Sequence, residues 1–201
     1  MRSGVIAVIR TDQPQFALTL GRGFSETAVD GIEITMTVPG GIEIIERLIG
    51  EGVKRVGGGT VRTVEQVQKL AKIGASFIVS PILDEKIVKE SVGCGVPITP
   101  GTLTPSEMVQ AMQWGASNVK VFPINSMGGT GYIRSILEPL PELRIVVSGG
   151  VQTHEVNSYL ELGCSGVCLG GALWQESDAA SGDLMKVRHY AEDALARIMN
   201  G

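Results

Sequence analysis

The sequence is poor in the residues that usually build metal sites and disulfide frameworks. Its 201 residues include two histidines and three cysteines, and aromatic residues make up 4% of the chain. The cysteines (Cys94, Cys164 and Cys168) are odd in number, and neither histidine stands at metal-ligand spacing from them. We therefore predict no disulfide framework, no metal and no other cofactor. The cysteines are expected to be small core residues in a reducing cytoplasm.

An excess of basic residues and a long apolar run are also lacking. The 17 lysines and arginines against 21 aspartates and glutamates give a net charge of −4, and the pI is near 5.3. This leaves no positively charged footprint for nucleic acid. No apolar run approaches the roughly 18 residues of a membrane span, and the N-terminal apolar stretch is too short for a signal peptide. We predict a cytoplasmic protein that binds neither nucleic acid nor membrane.

Short apolar runs at a regular spacing are what the chain has in abundance. They are rich in β-branched residues and mostly unbroken rather than alternating, as expected for parallel strands covered on both faces. The eight runs cover residues 4–10, 31–35, 54–60, 76–81, 96–101, 118–122, 144–150 and 165–171. With the last two runs taken to end at residues 148 and 170, before their closing glycines, successive runs end 20 to 26 residues apart. This is enough for one strand, one helix and two short loops.

Helical patterns fill the intervals between the runs. Residues 64–74 place apolar side chains on one face and end at a glycine. Residues 104–115 begin with Thr104 as N-cap and have Glu107 at the position that completes a capping box. Residues 153–163 also begin with a threonine and end at a glycine. The chain therefore alternates strand and helix along its length.

Eight alternating strand and helix units indicate a parallel α/β architecture. Eight units in about 200 residues fit a compact (β/α)₈ TIM barrel at the lower end of its usual size. Because no linker interrupts the pattern, we predict one domain over residues 1–201. A doubly wound open sheet is the alternative. Its first strand-to-helix turn usually carries a GxGxxG motif, which residues 8–14 lack.

Polar residues stand late in several of the apolar runs. In a TIM barrel the active site lies at the C-terminal ends of the strands, so these residues are the candidates for chemistry. They are Arg10, Glu33, Thr35, Thr60, Lys120 and Ser148. Glu33 and Lys120 are the least expected, because each stands between apolar neighbours where charged side chains are rarely buried.

Two interpretations of Glu33 and Lys120 are open. They can form a structural salt bridge, although buried ion pairs contribute little net stability. Alternatively, burial lowers the pKa of Lys120 and leaves a free amine that forms a Schiff base with a ketone. Glu33, with its pKa raised by burial, would then act as acid and base.

Two pairs of glycines follow the last two apolar runs. They are Gly149–Gly150 and Gly170–Gly171. Barrels often bind phosphate at this place through backbone N–H groups, which glycine allows to approach the oxygens closely. The glycines at 57–59 are ambiguous, because close helix packing explains them equally well.

Seven motifs carry a resemblance to a known family. In chain order they are IEITMTVP (32–39), GGGTV (57–61), FIVSP (77–81), PGTLTPSE (100–107), VKVFP (119–123), SGGV (148–151) and LGG (169–171). With them the chain resembles, over nearly its whole length, the 2-keto-3-deoxy-6-phosphogluconate (KDPG) aldolases. That family includes enzymes for 4-hydroxy-2-oxoglutarate (KHG) and for the galactonate analogue of KDPG. The resemblance implies a (β/α)₈ barrel, usually a homotrimer, and metal-free class I aldol chemistry.

The resemblance also implies a role for individual residues. Lys120 is the Schiff-base lysine, Glu33 moves protons, and Thr60 helps to hold the substrate carboxylate. Further implied substrate contacts are Thr35, Pro81, Phe122 and Ser148. The implied phosphate contacts are Gly149, Gly150, Gly170 and Gly171.

Three positions depart from the family pattern. Thr37 stands where many members have an arginine that binds the substrate carboxylate, and Arg10 matches another branch in which an arginine there does the same work. Ser148 replaces a threonine but keeps the hydroxyl, which leans towards the gluconate substrate. Ala172 replaces a serine that would donate to phosphate.

The expected reaction is the reversible cleavage of KDPG to pyruvate and D-glyceraldehyde 3-phosphate. Cleavage of KHG to pyruvate and glyoxylate is a further candidate, and the galactonate analogue is an alternative substrate. Two rivals stay open. One is another small phosphate-binding barrel, such as a sugar-phosphate epimerase or synthase. The other is a non-catalytic protein that binds sugar-acid phosphates on the same scaffold.

Overall fold

Parallel strands and α-helices alternate along residues 3–200, the part of the chain that the computed structural model describes. The strands are β1 (Val5–Ile9), β2 (Gly31–Thr35), β3 (Val56–Gly59), β4 (Ile78–Val79), β5 (Ile98–Thr99), β6 (Gly101–Thr102), β7 (Val119–Val121), β8 (Ile145–Val147) and β9 (Gly166–Leu169). The helices are α1 (Pro14–Ser25), α2 (Gly41–Gly50), α3 (Val64–Lys72), α4 (Glu85–Gly93), α5 (Pro105–Gln113), α6 (Thr130–Leu137), α7 (Val156–Glu161), α8 (Glu176–Ser181) and α9 (Leu184–Asn200). The predicted TIM barrel is confirmed.

The fifth apolar run forms two short strands instead of one. Pro100 separates β5 from β6, and a proline has no N–H to donate to a strand ladder. The sheet order is β5-β4-β3-β2-β1-β9-β8-β7-β6. β5 pairs with β4 and β6 pairs with β7, while the Lys120 N–H donates to the carbonyl of Pro100 at 2.8 Å. The two ends of the sheet therefore meet at Pro100 and the barrel closes.

The pattern at residues 104–115 begins with the predicted cap, because Thr104 forms a capping box with Glu107 at the start of α5. Thr63, which the sequence analysis did not single out, caps α3. The third pattern differs, because residues 153–155 form a short 3₁₀ turn before α7 begins. There the capping box is made by Gln152 rather than by a threonine.

The core lies between the barrel and the ring of helices. Leu20 of α1, Leu48 of α2 and Leu70 of α3 are fully buried against the strands. Each such side chain contributes about 1.5–3 kcal/mol through burial. None of the helices in the described residues is both long and apolar enough to cross a lipid bilayer.

The two ends of the barrel are both open. The end at which the strands begin has a cavity of about 420 Å³, with Ile6 and Phe77 among its walls and the Arg55–Asp30 ion pair at its edge. The end at which the strands finish has a larger cavity of about 680 Å³. The polar residues singled out in the sequence belong to this second end.

Candidate active site

The sequence-predicted site residues all lie in the C-terminal half of a strand or directly after one. Arg10 follows β1, Glu33 and Thr35 belong to β2, Thr60 follows β3, Pro81 comes two residues after β4, Lys120 belongs to β7, Phe122 follows β7, Ser148, Gly149 and Gly150 follow β8, and Gly170 and Gly171 follow β9. Since all the strands are parallel, these residues are brought to one end of the barrel.

Glu33 and Lys120 face each other across this barrel. Their strands, β2 and β7, are on opposite sides of the closed sheet, and the side chains are 4% and 6% exposed. Burial raises the pKa of Glu33, while the charges of Lys120 and Arg10 oppose that rise. Burial likewise lowers the pKa of Lys120 against the opposing effect of Glu33. Desolvation therefore favours the neutral form of both groups, a free amine and a protonated carboxyl.

No hydrogen bond or ion pair joins the two side chains directly, although each alters the other's pKa. A purely structural salt bridge, the first of the two interpretations above, would require such a contact. The two buried groups therefore influence each other's pKa without being paired.

Gly59 makes room for the Glu33 carboxylate. A Cβ built on Gly59 would overlap the carboxylate oxygens and carbon of Glu33. At Gly57 and Gly58 a Cβ would instead meet Phe77 and Leu70, which are packing contacts. The ambiguous glycine run therefore has two purposes. Its first two residues allow close packing, and its third leaves space for the proposed acid and base.

Phe122 covers the amine of Lys120. The Lys120 Nζ lies 5.0 Å from the centre of the Phe122 ring, within the range of a cation–π contact. The ring itself is 40% exposed, so one part of it faces the mouth of the barrel. This position agrees with its prediction as a wall of the substrate pocket.

Arg10 is held at the mouth of the barrel by two threonines. Its Nη1 donates to Thr37 Oγ1 at 3.1 Å, and its Nη2 donates to Thr60 Oγ1 at 3.0 Å. Thr60 adopts a left-handed backbone conformation with φ of 57°, which is rare for a β-branched residue. Arg10 lies close enough to influence both Glu33 and Lys120 electrostatically. Its guanidinium is thus available to a carboxylate bound beside Lys120.

Thr35 has a different environment from the one expected of a substrate contact. It is fully buried, and its hydroxyl donates to the carbonyl of Ile9 at 3.2 Å and lies 2.9 Å from the hydroxyl of Thr37. Several predicted residues are not among those that line the cavity at this end of the barrel: Glu33, Thr35, Thr60, Pro81 and Lys120. The roles predicted for them stay predictions.

The cavity at the C-terminal ends gathers many of the predicted residues. Its walls include Arg10, Phe122 and Ser148 together with all four predicted phosphate-binding glycines. The volume of about 680 Å³ is in the range of small-molecule sites.

The loop after β8 requires glycine at both of its predicted positions. Gly149 and Gly150 have φ of 94° and 85°, a region that other residues adopt only under strain. A Cβ at Gly149 would lie 2.9 Å from Pro123 Cα, and one at Gly150 would lie 2.8 Å from Asn125 Cβ. Within the described chain the N–H groups of Gly149, Gly150 and Gly171 have no acceptor. They are free to bind an anion.

Several lining residues of this cavity were not predicted from the sequence as site residues, among them Cys168 and Trp174. Cys168 of β9 is buried, and burial, aided by Glu33, raises its pKa to about 12. Trp174 contributes an indole Nε1 that is fully buried and for which the described residues offer no hydrogen-bond partner. The sequence could have indicated Cys168, because alternation along β9 places it two residues before Gly170. It could not have indicated Trp174, which follows a turn.

Within residues 3–200 no three His, Cys, Asp or Glu side chains come together in a way that could hold a metal ion.

A family model described as "KDPG and KHG aldolase" matches residues 1–190 of the chain. Among curated proteins, the chain is similar to the 2-dehydro-3-deoxy-phosphogluconate aldolase of Treponema pallidum, with 30% identity over 195 residues. That match covers 96% of this chain and 93% of that protein. The chain is also similar to the 2-dehydro-3-deoxy-6-phosphogalactonate aldolase of Escherichia coli strain K12. The identity is 31%, over 85% of this chain and 84% of that protein.

A solved structure gives the same result for the fold. The chain is similar to a native KDPGal structure with a TM-score of 0.82 and 27% identity, over 98% of this chain and 96% of that one. The barrel and the arrangement of its connections are therefore shared with aldolase relatives.

Proposed function

The chain belongs to the KDPG and KHG aldolase family, and from that premise we propose that it is a metal-independent class I aldolase acting through a Schiff base on Lys120. The proposed reaction is the reversible cleavage of KDPG to pyruvate and D-glyceraldehyde 3-phosphate, with KHG as a second substrate. The observation that carries the proposal is the opposed pair of Glu33 and Lys120, both buried and both shifted towards their neutral forms.

The reaction begins with the amine of Lys120. Its lowered pKa leaves a larger share of free amine at neutral pH, and this attacks the C2 carbonyl carbon of the keto acid. Glu33, protonated because burial raises its pKa, gives its proton to the leaving hydroxyl group of the adduct. Loss of water then leaves a protonated imine on Lys120 and the carboxylate form of Glu33. The positive imine is the electron sink for the step that follows.

Glu33 then moves the protons. As the carboxylate it takes the proton of the C4 hydroxyl, directly or through one water, and the C4 oxygen becomes the aldehyde carbonyl as the C3–C4 bond breaks. The electron pair of that bond moves into the imine and forms an enamine, and D-glyceraldehyde 3-phosphate departs. Glu33 returns its proton to C3, and water hydrolyses the imine to release pyruvate and the free amine. A raised pKa suits this carboxyl group to both steps.

Arg10 is proposed to bind the carboxylate of the substrate. A keto acid carries a carboxylate next to the carbonyl that Lys120 attacks, and a charged partner is needed when that group is desolvated. Arg10 influences both Glu33 and Lys120 and has N–H donors that neither Thr37 nor Thr60 uses. This supports Arg10, rather than a residue at position 37, as the carboxylate ligand.

The phosphate is proposed to bind at the glycine loops. The free N–H groups of Gly149, Gly150 and Gly171 lie in the same cavity as Arg10. Glycine at these places lets phosphate oxygens approach the backbone. Since Ala172 offers no hydroxyl, the backbone supplies the donors in this proposal.

Trapping of the imine tests the proposal. Treatment with pyruvate and borohydride is expected to inactivate the protein and to leave a reduced adduct on Lys120, located by peptide mass spectrometry. The Lys120→Met variant, which keeps the length and burial of the side chain, is the control and should take up no adduct. An adduct on another lysine, or the absence of any adduct, would contradict the Schiff-base mechanism on Lys120.

The galactonate analogue is the second candidate substrate. The relative from Escherichia coli named for that substrate is as similar in sequence as the gluconate relative is. Steady-state kinetics with KDPG, its galactonate analogue and KHG distinguishes the three. A protein that binds these compounds but cleaves none of them would be the non-catalytic alternative.

We also propose that the chain assembles as a homotrimer, as the family resemblance implies. Light scattering coupled to gel filtration should then give three times the 21.2 kDa of one chain. A mass of one or two chains would contradict this assembly.

A further inference from the structure

Two threonine hydroxyls connect Arg10 to the backbone of β1. The Nη1 of Arg10 donates to Thr37 Oγ1 at 3.1 Å. Thr37 Oγ1 lies 2.9 Å from Thr35 Oγ1, and Thr35 Oγ1 donates to the carbonyl oxygen of Ile9 at 3.2 Å. The four groups form a continuous chain of hydrogen bonds.

The direction of every hydrogen bond in this chain is determined by its two ends. A carbonyl oxygen only accepts and a guanidinium only donates, while each hydroxyl has a single proton. The proton of Thr35 is used by the carbonyl of Ile9, so Thr35 must accept from Thr37. The proton of Thr37 is then used in turn, and its oxygen is left to accept from Arg10.

A second contact orients the same guanidinium. Its Nη2 donates to Thr60 Oγ1 at 3.0 Å. Thr60 is in the left-handed conformation with φ of 57° and follows Gly59, the residue that leaves space for Glu33. Such a conformation is strained at a non-glycine residue and is found mostly at functional sites. The turn after β3 therefore places Thr60, which accepts a hydrogen bond from Arg10, next to the residue that makes room for Glu33.

We propose that Thr37 is a positioning residue that orients Arg10 for the carboxylate of the substrate, an inference that rests on the function proposed above. With Nη1 and Nη2 each donating once, the plane of the guanidinium is held, and three N–H donors remain for a carboxylate. Thr35 supports this role of Thr37. The buried hydroxyl of Thr35 accepts the proton of Thr37, which leaves the Thr37 oxygen free to accept from Arg10. A threonine at position 37 thus supports an arginine that comes from β1.

The test compares Thr37→Val with Thr37→Ser. Valine keeps the shape but has no oxygen to accept from Arg10, whereas serine keeps the hydroxyl. Thr37→Val should raise KM for keto-acid substrates and weaken pyruvate binding about tenfold, the lower end for loss of a hydrogen bond to a charged group. Its kcat should change less than about threefold, and Thr37→Ser should restore KM.

Thr27→Val is the matched control. Its hydroxyl donates to the carbonyl of Phe24 at the end of α1, before β2 begins and so at the opposite end of the barrel. This variant should leave KM unchanged.

A double variant tests whether Thr37 acts through Arg10. In an Arg10→Ala background, Thr37→Val should weaken pyruvate binding no further, because the group that it positions is gone. Equal losses from Thr37→Val in both backgrounds would overturn the inference, as would normal pyruvate binding by Thr37→Val.

Calorimetric binding of pyruvate, measured without turnover, separates this inference from the proposed function. If the wild type cleaves none of the three substrates but binds pyruvate through Arg10 and Thr37, the proposed catalysis fails and the inference holds. If the wild type does not bind pyruvate at all, the inference fails as well.

Discussion

Gly59 lies on the strand next to that of Glu33, two positions further along than the residue with which Glu33 pairs, and the carboxylate of Glu33 occupies the space that a Cβ on residue 59 would fill. Gly59→Ala should therefore displace the carboxyl group and lower kcat by at least tenfold, with a loss of about 1–3 kcal/mol in stability from overpacking. Turnover and thermal unfolding are the measurements.

Gly50→Ala is the matched control for that substitution. A Cβ on Gly50 meets no atom within 4 Å, and the residue has an ordinary helical backbone at the end of α2. Its activity should be normal and its stability equal or slightly higher. Normal turnover in Gly59→Ala would show that the carboxylate position is not critical.

Glu33→Gln should keep the fold, since the amide is nearly the same size, and should still form an imine that borohydride traps. Turnover should fall by about 10²–10⁴, the usual contribution of a positioned acid or base. Glu161→Gln, at an exposed position at the end of α7, is the control. If Glu33→Gln turns over at nearly the normal rate, another group moves the protons.

The stability of the protein should depend on pH through Glu33. Burial raises the pKa of Glu33 in the folded state. Below the unfolded pKa of about 4.3 the carboxyl is neutral in both states. As the pH rises, the unfolded state ionises first, and the stability that Glu33 contributes is lost as the pH passes through the folded pKa. Glu33→Gln lacks this titration, so the Tm of the variant minus that of the wild type should grow between pH 4 and pH 7. A constant difference across that range would argue against a raised pKa.

Arg10 variants test the carboxylate partner. Arg10→Lys keeps the charge but loses the planar fork, and it should raise KM. Arg10→Ala should weaken substrate binding more, by about 2 kcal/mol. This is the lower end for losing one partner of a charge pair, because Arg10 is exposed at the mouth of the barrel. Thermal stability should change little in either variant. A normal KM in Arg10→Ala would assign the carboxylate to threonine hydroxyls and backbone donors.

The phosphate loop can be tested with a pair of glycine substitutions. Gly149→Ala places a Cβ in a left-handed residue next to Pro123 and should shift the free N–H groups of the loop. KM should rise for KDPG and much less for KHG, which carries no phosphate. Gly93→Ala, at the end of α4 and outside the cavity, meets nothing within 4 Å and should leave both values near normal. Equal changes for the two substrates in Gly149→Ala would place the phosphate elsewhere.

The sequence was sufficient for the barrel and for the two central residues of the site. Eight apolar runs at a near-constant spacing predict parallel strands, and the strand bounds agree with the runs except at Pro100. Glu33 and Lys120 stand out because a charge inside an apolar run is a local anomaly. The position of Arg10 at the end of β1 is likewise readable from the order of residues, and the tertiary structure adds its neighbours.

What the tertiary structure alone decided is how residues far apart in the chain meet. Arg10 contacts Thr37 and Thr60 at separations of 27 and 50 residues, and the Glu33 carboxylate lies over Gly59. The direction of the hydroxyl of Thr35, towards Ile9 and away from a substrate, is also a cross-strand feature. Hydrophobic periodicity depends on neighbouring residues and can be read from a sequence. The register between strands, and with it the partner of every polar side chain at the mouth, is set only when the sheet closes.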